Sequence, residues 1–439
     1  MMASALLREI ETQDFAAYRG KVTHISDARI EARGPLARLG DYCEIETGAA
    51  PLLAEVVAIE AERLVLMPLA TGSAVALGAT VTASQRFSRV TVGNGLANRA
   101  IDALGRPIDG RGALTDIRQL DRQAILAAPL DRITPDRAVA TGIRAIDTLL
   151  PLGAGQRIGI FAASGVGKTS LVEQLSQQIE CDHVILCLVG ERGREVEALW
   201  AAHRDRTQGA RTSIVAATSD ESASMRVRAV EQALAMAEYW RAGGKHVVLF
   251  VDSATRLAFA LRELGLAAGE PPALRALTPN IFTHIPRIVE RCGALRGGGA
   301  ISAIFTILSE TDDVDDPIVE LMKSLLDGHI VLSRRLAEKG HFPAIDIGAS
   351  VSRLATRLLT GDALALARQA QSILASHEEA RTMIESGIYR PGSSDAIDRA
   401  IDRMPALTRY LQQGTTERDD PADAERRLRA ALTGEVGRE

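Results

Sequence analysis

The segment 156–170, QRIGIFAASGVGKTS, constrains the fold of this 439-residue chain more than any other segment. Its apolar run predicts a buried strand, the small residues that follow predict a tight loop, and the residues after Thr169 predict a helix. Gly165 and Gly167 lack a Cβ, so the loop backbone can turn until several N–H groups point at one place. The positive end of the helix dipole lies at the same place, and the segment therefore predicts a strand, a phosphate-binding loop and a helix.

The loop also carries side chains suited to a polyphosphate and a metal ion. We expect Lys168 to reach the β- and γ-phosphates and the Thr169 hydroxyl to be a ligand of Mg²⁺. The strict form of this motif begins with glycine, where the chain has Ala162, so the assignment depends on the strand before the loop and the helix after it. The residues predicted to bind the ligand are Ser164, Gly165, Val166, Gly167, Lys168, Thr169 and Ser170.

Composition argues against several classes of protein. The net charge of -5 and the isoelectric point near 6.0 give no overall attraction for nucleic acid. No run of about 18 apolar residues is present, so we expect no membrane-spanning helix. Charged residues interrupt the N-terminal apolar residues, which argues against a signal peptide and for a cytosolic protein. The four cysteines lack metal-binding spacing, so we expect neither disulfides nor a cysteine metal site.

The chain divides into four regions by sequence pattern. Residues 1–18 predict a short N-terminal helix, and residues 19–88 predict a small antiparallel β-barrel because short alternating runs are broken by turn residues. In residues 89–360, near-continuous Ile, Val and Leu runs alternate with helical patterns, which is typical of a mostly parallel sheet covered on both faces. Residues 361–439 predict a helical C-terminal domain with a tail that is either mobile or an isolated polar helix. The predicted fold class is therefore α/β, flanked by a barrel and a helical domain.

A barrel before a phosphate-binding loop raises the question of RNA binding. Residues 1–85 carry seven basic and eleven acidic side chains, a net charge of -4, and only three aromatic residues. An RNA-binding barrel needs basic grooves and aromatic stacking surfaces. We therefore expect no nucleic-acid partner, and an RNA-translocating hexameric helicase is a disfavoured alternative.

Charged residues end two of the predicted strands. Asp252 ends HVVLFVD, at the edge of the sheet where α/β proteins collect their ligands, and suits the outer shell of a Mg²⁺ ion held by Thr169. Glu191 follows VILCLV at the same edge, where a carboxylate can orient or deprotonate an attacking water, and Arg192 can meet phosphate oxygens. Spacing alone leaves open that Glu191 and Arg192 belong to a solvated charged loop.

Six segments together carry a resemblance to a known family. In chain order they are AASGVGKTS, GERGREV, VVLFVDSATRLA, AAGEPP, LDGHIVLSRRLAEKGHFPAID and GASVSR. At these spacings, from near Gly20 to Gln413, the chain resembles the flagellar and type III secretion export ATPases, which are relatives of the catalytic subunits of rotary ATP synthases. The resemblance implies a RecA-like nucleotide domain and a homo-hexamer, with the barrel serving oligomerisation and ATP bound at subunit boundaries.

The resemblance also implies roles for individual residues. Lys168 and Thr169 would hold phosphate and Mg²⁺, and Asp252 would be the magnesium carboxylate. Glu191 would be the catalytic carboxylate. Two arginines would lie at the site, Arg192 against the γ-phosphate and Arg256 beside it.

Three further residues complete the implied site. Arg353 matches an arginine finger that reaches into the neighbouring subunit, which would make hydrolysis depend on assembly. Phe342 matches an aromatic residue, usually Tyr in the family, that stacks on adenine, and Tyr389 would close the other side. Large aromatic residues are usually buried, so a purely structural role for Phe342 is the alternative.

The chain departs from the family in two places. Ala163 stands where the loop usually has glycine, and we expect at most a tighter turn. Residues 273–280 read ALRALTPN where the family commonly continues with Gly-Tyr-Pro. Because that loop lies near the central pore in the relatives, contact with a stalk protein is the least secure of the implied partners.

The resemblance implies further partners and a cellular place. A regulator would bind the N-terminal segment and hold the protein at the membrane export gate, and secretion chaperones and substrates would be its clients. A subunit of a rotary ATP synthase is the second alternative, but there the site and the finger are divided between two kinds of subunit, whereas this chain carries both. Within the export ATPases, GASVSR favours the flagellar branch and the ATSD segment at 217–220 favours the virulence branch.

Overall fold

The computed structural model describes residues 19–26, 29–48, 50–70, 74–84, 88–121, 127–205, 209–309 and 316–434. The predicted helix in residues 1–18 therefore lies outside the described residues. Within them, no helix is long and apolar enough to cross a membrane.

Six strands close into the N-terminal barrel. They are β1 (Arg19–Ile25), β2 (Ile30–Arg33), β3 (Tyr42–Ile45), β4 (Leu52–Glu60), β5 (Arg63–Pro68) and β6 (Thr80–Ser84). All neighbours in the order β1-β2-β5-β4-β3-β6 are antiparallel. Inward-facing residues such as Val22, Ile45 and Leu66 form the barrel core, and closure leaves no free sheet edge.

The nucleotide domain is built around one large sheet. Its strands and the short ribbons beside it are β7 (Arg89–Val92), β8 (Ala100–Asp102), β9 (Arg118–Asp121), β10 (Arg132–Ile133), β11 (Ala138–Val139), β12 (Leu152–Gly153), β13 (Arg157–Ala162), β14 (His183–Glu191), β15 (Arg211–Thr218), β16 (His246–Asp252), β17 (Gly293–Leu295), β18 (Ala300–Leu308), β19 (Gly328–Leu332) and β20 (Ile345–Ser352). The main sheet has the order β20-β19-β13-β18-β16-β14-β15-β8, and all neighbours except β19 and β20 are parallel.

Helices cover both faces of this sheet. They are α1 (Arg144–Leu149), α2 (Lys168–Gln178), α3 (Gly193–His203), α4 (Ala223–Ala242), α5 (Ala254–Ala267), α6 (Pro279–Arg291), α7 (Pro317–Leu325) and α8 (Arg334–Glu338). Every residue of β14 is buried. Its alternate residues enter two cores, with Ile185 and Val189 packing beside α4 and α5, and Leu186 and Leu188 in the core that contains α2. Burial on both faces explains the unbroken apolar runs in the sequence.

The C-terminal helices pack onto the core beneath the phosphate-binding loop. They are α9 (Ala355–Leu358), α10 (Gly361–Glu385), α11 (Asp395–Leu411) and α12 (Pro421–Thr433). Leu366, Leu407 and Leu428 share one apolar core with Leu171 and Leu175 of α2. Helix α12 differs from the expectation of a mobile or isolated polar tail, because its Leu428 side chain is buried against the core. The helix begins after Asp420, whose side chain is its N-cap.

These elements confirm the predicted fold class, a mostly parallel α/β sheet preceded by a small barrel and followed by helices. The parallel strands β13, β14, β16 and β18 lie close together, so their carboxyl ends meet at one edge. The loops at that edge carry the candidate site.

Candidate active site

The backbone of the loop between β13 and α2 is left-handed at two positions. Gly165 has a φ of 81° and Gly167 a φ of 95°, values that glycine adopts without strain. Ala162 and Ala163 are buried, and neither has a left-handed backbone. The alanines therefore stand where glycine is not required, and this explains why the loop forms although the strict motif is broken.

Helix α2 begins with its N–H groups available to a ligand. Gly167 is the N-cap residue, it provides no side-chain cap, and the first turn contains no acidic residue. Ser164, Thr169 and Ser170 are exposed, whereas Val166 is buried and anchors the loop. An uncapped helix start beside a curled glycine loop is suited to bind phosphate.

Lys168 lies between two carboxylates at the edge of the sheet. Its Nζ forms an ion pair with Asp252 Oδ1 and lies 3.6 Å from Glu191 Oε1. The hydroxyl of Thr306, on β18, donates a hydrogen bond of 2.6 Å to the same Asp252 oxygen. The ends of adjacent strands thus bring Lys168, Glu191 and Asp252 into one cluster, which we call the acid cluster. The three residues come from three separate segments of the sequence.

Glu191 is 5% exposed, and burial raises its pKa to about 7. A hydrogen bond with the Glu195 side chain and the charge of Asp252 contribute to this rise, while Lys168 and Arg256 oppose it. The same hydrogen bond lowers the pKa of Glu195. A carboxyl group that titrates near neutral pH is suited to accept a proton from water.

Arg256 approaches Glu191 from helix α5, with Nη2 3.3 Å from Glu191 Oε2. Gly190, which has a φ of 70°, leaves the space that Arg256 uses, because a Cβ there would lie 3.0 Å from Arg256 Cδ. Arg192 is exposed at the N-cap of α3, and its carbonyl accepts a hydrogen bond of 2.8 Å from Glu195 N. The structure therefore brings Arg256 to the acid cluster and places Arg192 beside it, at the surface.

Phe342 lies over the glycine loop. Its ring atoms Cε1 and Cδ1 are 3.5 and 3.6 Å from where a Cβ on Gly167 would be, and 46% of the residue is exposed. Such a half-exposed ring provides a stacking surface, which disfavours the alternative of a core aromatic. Its carbonyl accepts a hydrogen bond of 2.9 Å from Gln413 N.

Tyr389 forms hydrogen bonds of its own among the C-terminal helices, and its role in closing the other side of the base stays a prediction. It lies in the connection between α10 and α11, where its hydroxyl donates hydrogen bonds of 2.9 Å to Asp398 Oδ1 and 3.1 Å to Ser394 O. Those contacts hold the ring within the C-terminal helices.

Arg353 lies at the opposite edge of the sheet from Lys168. Strand β20 is antiparallel to β19, and its last residue, Ser352, pairs with Gly328 at the start of β19. Because β19 is parallel to β13, Arg353 lies beside the start of β13, whereas the phosphate-binding loop follows its last residue, Ala162. At about 3.3 Å per residue, the distance along β13 from the level of Arg353 to the start of the phosphate-binding loop is roughly 15 Å.

The exposed Arg353 is anchored by its own chain. Its backbone N–H donates a hydrogen bond of 3.1 Å to Asp327 O, and its Nη2 donates one of 3.1 Å to Lys323 O. The Asp327 carboxylate is held in turn by the Nε and Nη2 of Arg157, both at 3.1 Å. The Arg353 guanidinium therefore lies at the surface, and hydrogen bonds within its own chain hold its position.

The donors at the cluster suit Mg²⁺ only together with phosphate. Asp252 and Thr169 offer the oxygen ligands that this ion prefers. Among the described residues, no group of three or more His, Cys, Asp or Glu side chains could hold a metal on its own. A Mg²⁺ ion here would complete its octahedron with phosphate oxygens and water, as it does in other phosphate-binding loops.

Sequence reasoning missed three residues of the cluster: Gly190, Glu195 and Thr306. Thr306 is a polar residue inside the apolar run ISAIFTIL, and this interruption was a usable signal. Glu195 lies in GERGREV, where its spacing from Glu191 places it on the first turn of α3. Gly190 precedes the carboxylate, and its left-handed backbone becomes visible only in the structure.

The atypical loop at 273–280 is fixed at its end. Asn280 Nδ2 donates a hydrogen bond of 2.7 Å to Leu261 O, and Asn280 N donates one of 2.9 Å to Glu270 Oε2. Arg275 and Ala276 have left-handed backbones, with φ of 54° and 58°. Left-handed residues other than glycine are uncommon and cost energy, so the backbone of this segment is strained at these two positions.

Two family models match the chain. The model described as the ATP synthase alpha/beta family, nucleotide-binding domain, matches residues 142–352. The model described as the T3SS EscN ATPase C-terminal domain matches residues 359–430.

Curated relatives and solved structures agree with these matches. The chain is 40% identical to the flagellum-specific ATP synthase of Bacillus subtilis, over 100% of both chains, and 38% identical to the type 3 secretion system ATPase of Xanthomonas euvesicatoria, over 95% of both. The structure of the assembled ATPase EscN from enteropathogenic E. coli matches with a TM-score of 0.89 at 37% identity, covering 94% of this chain and 100% of that one. EscN in complex with its central stalk EscO matches with a TM-score of 0.85 at 36% identity and the same coverage. These findings confirm the resemblance drawn from the six sequence segments.

Proposed function

The chain belongs to the flagellar and type III secretion export ATPases and hydrolyses ATP, and from this premise we propose that it works as a homo-hexamer whose nucleotide sites are each shared by two subunits. One observation carries the proposal: the exposed Arg353 lies at the sheet edge opposite its own Lys168. A guanidinium so far from its own loop can contribute to hydrolysis only at the loop of a neighbour. The barrels of neighbouring chains hold the ring together.

Within one subunit, the phosphate-binding loop binds ATP and the acid cluster activates the attacking water. Lys168 and the N–H groups of α2 hold the β- and γ-phosphates. Glu191 orients the attacking water and accepts its proton, and Arg256 stabilises the ionised form of this carboxyl, which lies 3.3 Å away. Thr169 and Asp252 hold Mg²⁺, which neutralises phosphate charge when bound.

The neighbouring subunit supplies Arg353. A guanidinium donates several hydrogen bonds and stays charged, so it stabilises the negative charge that spreads over the γ-phosphate oxygens during transfer. Arg192, exposed near Glu191, contacts the γ-phosphate from the subunit that binds the nucleotide. The half-exposed ring of Phe342 stacks on adenine.

ATP hydrolysis drives the unfolding of export substrates and their release from chaperones. The regulator binds residues 1–18 and holds the ATPase on the cytoplasmic side of the membrane export gate. A stalk protein enters the pore, and the solved complex of EscN with its central stalk EscO supports this partner. The anchored loop 273–280 is the segment of this chain that we assign to the pore.

The dependence of activity on assembly tests this function. We expect the ATP turnover per chain to rise with protein concentration and to reach its plateau where light scattering detects hexamers. A constant turnover per chain across the range from monomer to hexamer would contradict a shared site. The Arg353→Ala variant is the matched control, because it should assemble at the same concentration without the rise in turnover.

A further inference from the structure

Gln413 forms four hydrogen bonds at the junction of the loop and the C-terminal helices. The residue is 5% exposed. Its backbone N–H donates to Phe342 O at 2.9 Å, and its side-chain Nε2 donates to Gly142 O at 2.7 Å and to Glu417 O at 3.0 Å. Its Oε1 accepts from Arg144 N at 2.9 Å. The side-chain amide of Gln413 therefore has a fixed orientation, because its Nε2 donates to Gly142 and its Oε1 accepts from Arg144, two residues further along the chain.

The residues after Gln413 are tied to the helix that follows the phosphate-binding loop. Gln174 Nε2 donates to Gly414 O at 3.2 Å, and Gln178 Nε2 donates to Thr415 O at 3.2 Å and to Glu417 O at 3.0 Å. Both glutamines belong to α2, and both are buried. The segment 413–417 thus spans the distance between the phosphate-binding helix and the aromatic residue over the loop.

We propose that Gln413 is a positioning residue for the nucleobase: it fixes the backbone of Phe342 relative to the phosphate-binding loop, so that the ring lies where a purine can stack. This inference rests on the stacking role of Phe342 in the proposed function. Phe342 is half exposed, and its carbonyl accepts the Gln413 N–H, so this bond restrains the backbone that carries the ring. Through Gln413, the position of the ring that stacks on the base depends on the turn that follows α11.

Steady-state kinetics with two nucleotides tests the inference. In Gln413→Leu, Arg144 N loses its partner and Gly142 O keeps only the bond of 3.3 Å from Asp419 N. The segment can then shift, so we expect KM for ATP to rise roughly tenfold. We expect kcat to stay within about twofold because the acid cluster is untouched. KM for UTP should change little, since a pyrimidine gains less from stacking. Gln412→Leu, at the exposed neighbouring residue, is the matched control and should behave as wild type.

Two more variants separate the possible results. Gln413→Glu keeps the acceptor for Arg144 N and loses the donor to Gly142 O, so it should show a smaller effect of the same kind and guards against misfolding of the leucine variant. Phe342→Leu should lose the preference for ATP over UTP, and the double variant should lose no more than the stronger single variant. Thermal unfolding and light scattering establish that each variant folds and assembles.

Equal losses with ATP and UTP in both Gln413 variants, or a fall in kcat at constant KM, would overturn the inference. If Phe342→Leu loses the preference but the Gln413 variants keep it, the inference fails while the stacking role of Phe342 stands. If Phe342→Leu also keeps the preference, the stacking role itself is wrong, and the inference fails with it.

Discussion

Arg353 and Lys168 lie at opposite edges of the same sheet, and strand β13 joins the two edges. Arg157, the first residue of β13, holds the Asp327 carboxylate, and the Asp327 carbonyl accepts the Arg353 N–H. The last residue of β13 leads directly into the phosphate-binding loop. One strand of each chain therefore connects the phosphate-binding loop with the arginine that we propose for the site of the next subunit.

Replacing Lys168 with alanine should abolish Mg-dependent hydrolysis of ATP. The ammonium pairs with Asp252 and lies beside Glu191, and its loss removes charge stabilisation at the β- and γ-phosphates of several kcal/mol. Phosphate release from the purified hexamer measures the effect. Lys245→Ala, at an exposed ion pair with Asp182, is the control and should be as active as wild type. Turnover within about threefold of wild type in Lys168→Ala would contradict the role of the loop.

Glu191→Gln should bind ATP normally and hydrolyse it at least about a hundredfold more slowly, because the amide keeps the shape but cannot accept a proton. The pKa of Glu191 is about 7, so kcat/KM of the wild type should rise with pH and level off above neutrality as this carboxyl ionises. The rising limb should be missing from the variant. Loss of nucleotide binding in titrations with a fluorescent ATP analogue would show that Glu191 is structural.

The same substitution should stabilise the protein at alkaline pH. The pKa of Glu191 is about 7 in the folded state against an ordinary value of 4.5, so the folded state binds more protons between these values. Stability linked to this group is full below pH 4.5 and is lost as pH rises through 7. Glu191→Gln removes the cost of ionisation, which is roughly 3 kcal/mol. Its Tm should exceed that of wild type at pH about 8, and the difference should nearly vanish at pH about 5.

A Tm of Glu191→Gln below that of wild type at alkaline pH would contradict the buried environment of this carboxyl. Other groups that titrate near neutrality, such as Glu221, are present in both proteins. Their contributions therefore cancel in the comparison.

Deleting residues 2–18 should leave ATP hydrolysis within about twofold of wild type and should abolish binding of the regulator. These residues precede the barrel and contribute no residue to the predicted site. A pull-down with the purified regulator measures binding, and the full chain is the positive control. Normal retention of the regulator by the shortened chain would refute a partner site in this segment.

The sequence was sufficient for those parts of the site that depend on local pattern. The strand, loop and helix at 156–170 follow from the spacing of apolar residues and glycines, and the convergence of Glu191 and Asp252 follows from neighbouring parallel strands. The substitution at Ala162 is harmless because the two left-handed positions have kept glycine.

Other parts of the site depend on contacts between distant segments. The hydrogen bond from Thr306 to Asp252 depends on the order of strands β16 and β18, which periodicity does not reveal. The resemblance named Arg353, but its place at the opposite edge follows from the antiparallel pairing of β20. Gln413 follows a helix without any local signature, and only its partners reveal its role.

Mixing two inactive variants tests the shared site most directly. Arg353→Ala keeps its own phosphate-binding loop and should bind ATP nearly normally while hydrolysing it about a thousandfold more slowly. Lys168→Ala keeps Arg353 and lacks a working loop. Hexamers assembled from both should contain interfaces where an intact loop meets an intact arginine, so activity should return, with a maximum near equal amounts. Light scattering with a labelled subunit establishes that the two variants assemble together. Mixed hexamers without activity at every ratio, together with an Arg353→Ala chain that fails to bind ATP, would place Arg353 in the site of its own subunit and contradict the shared site.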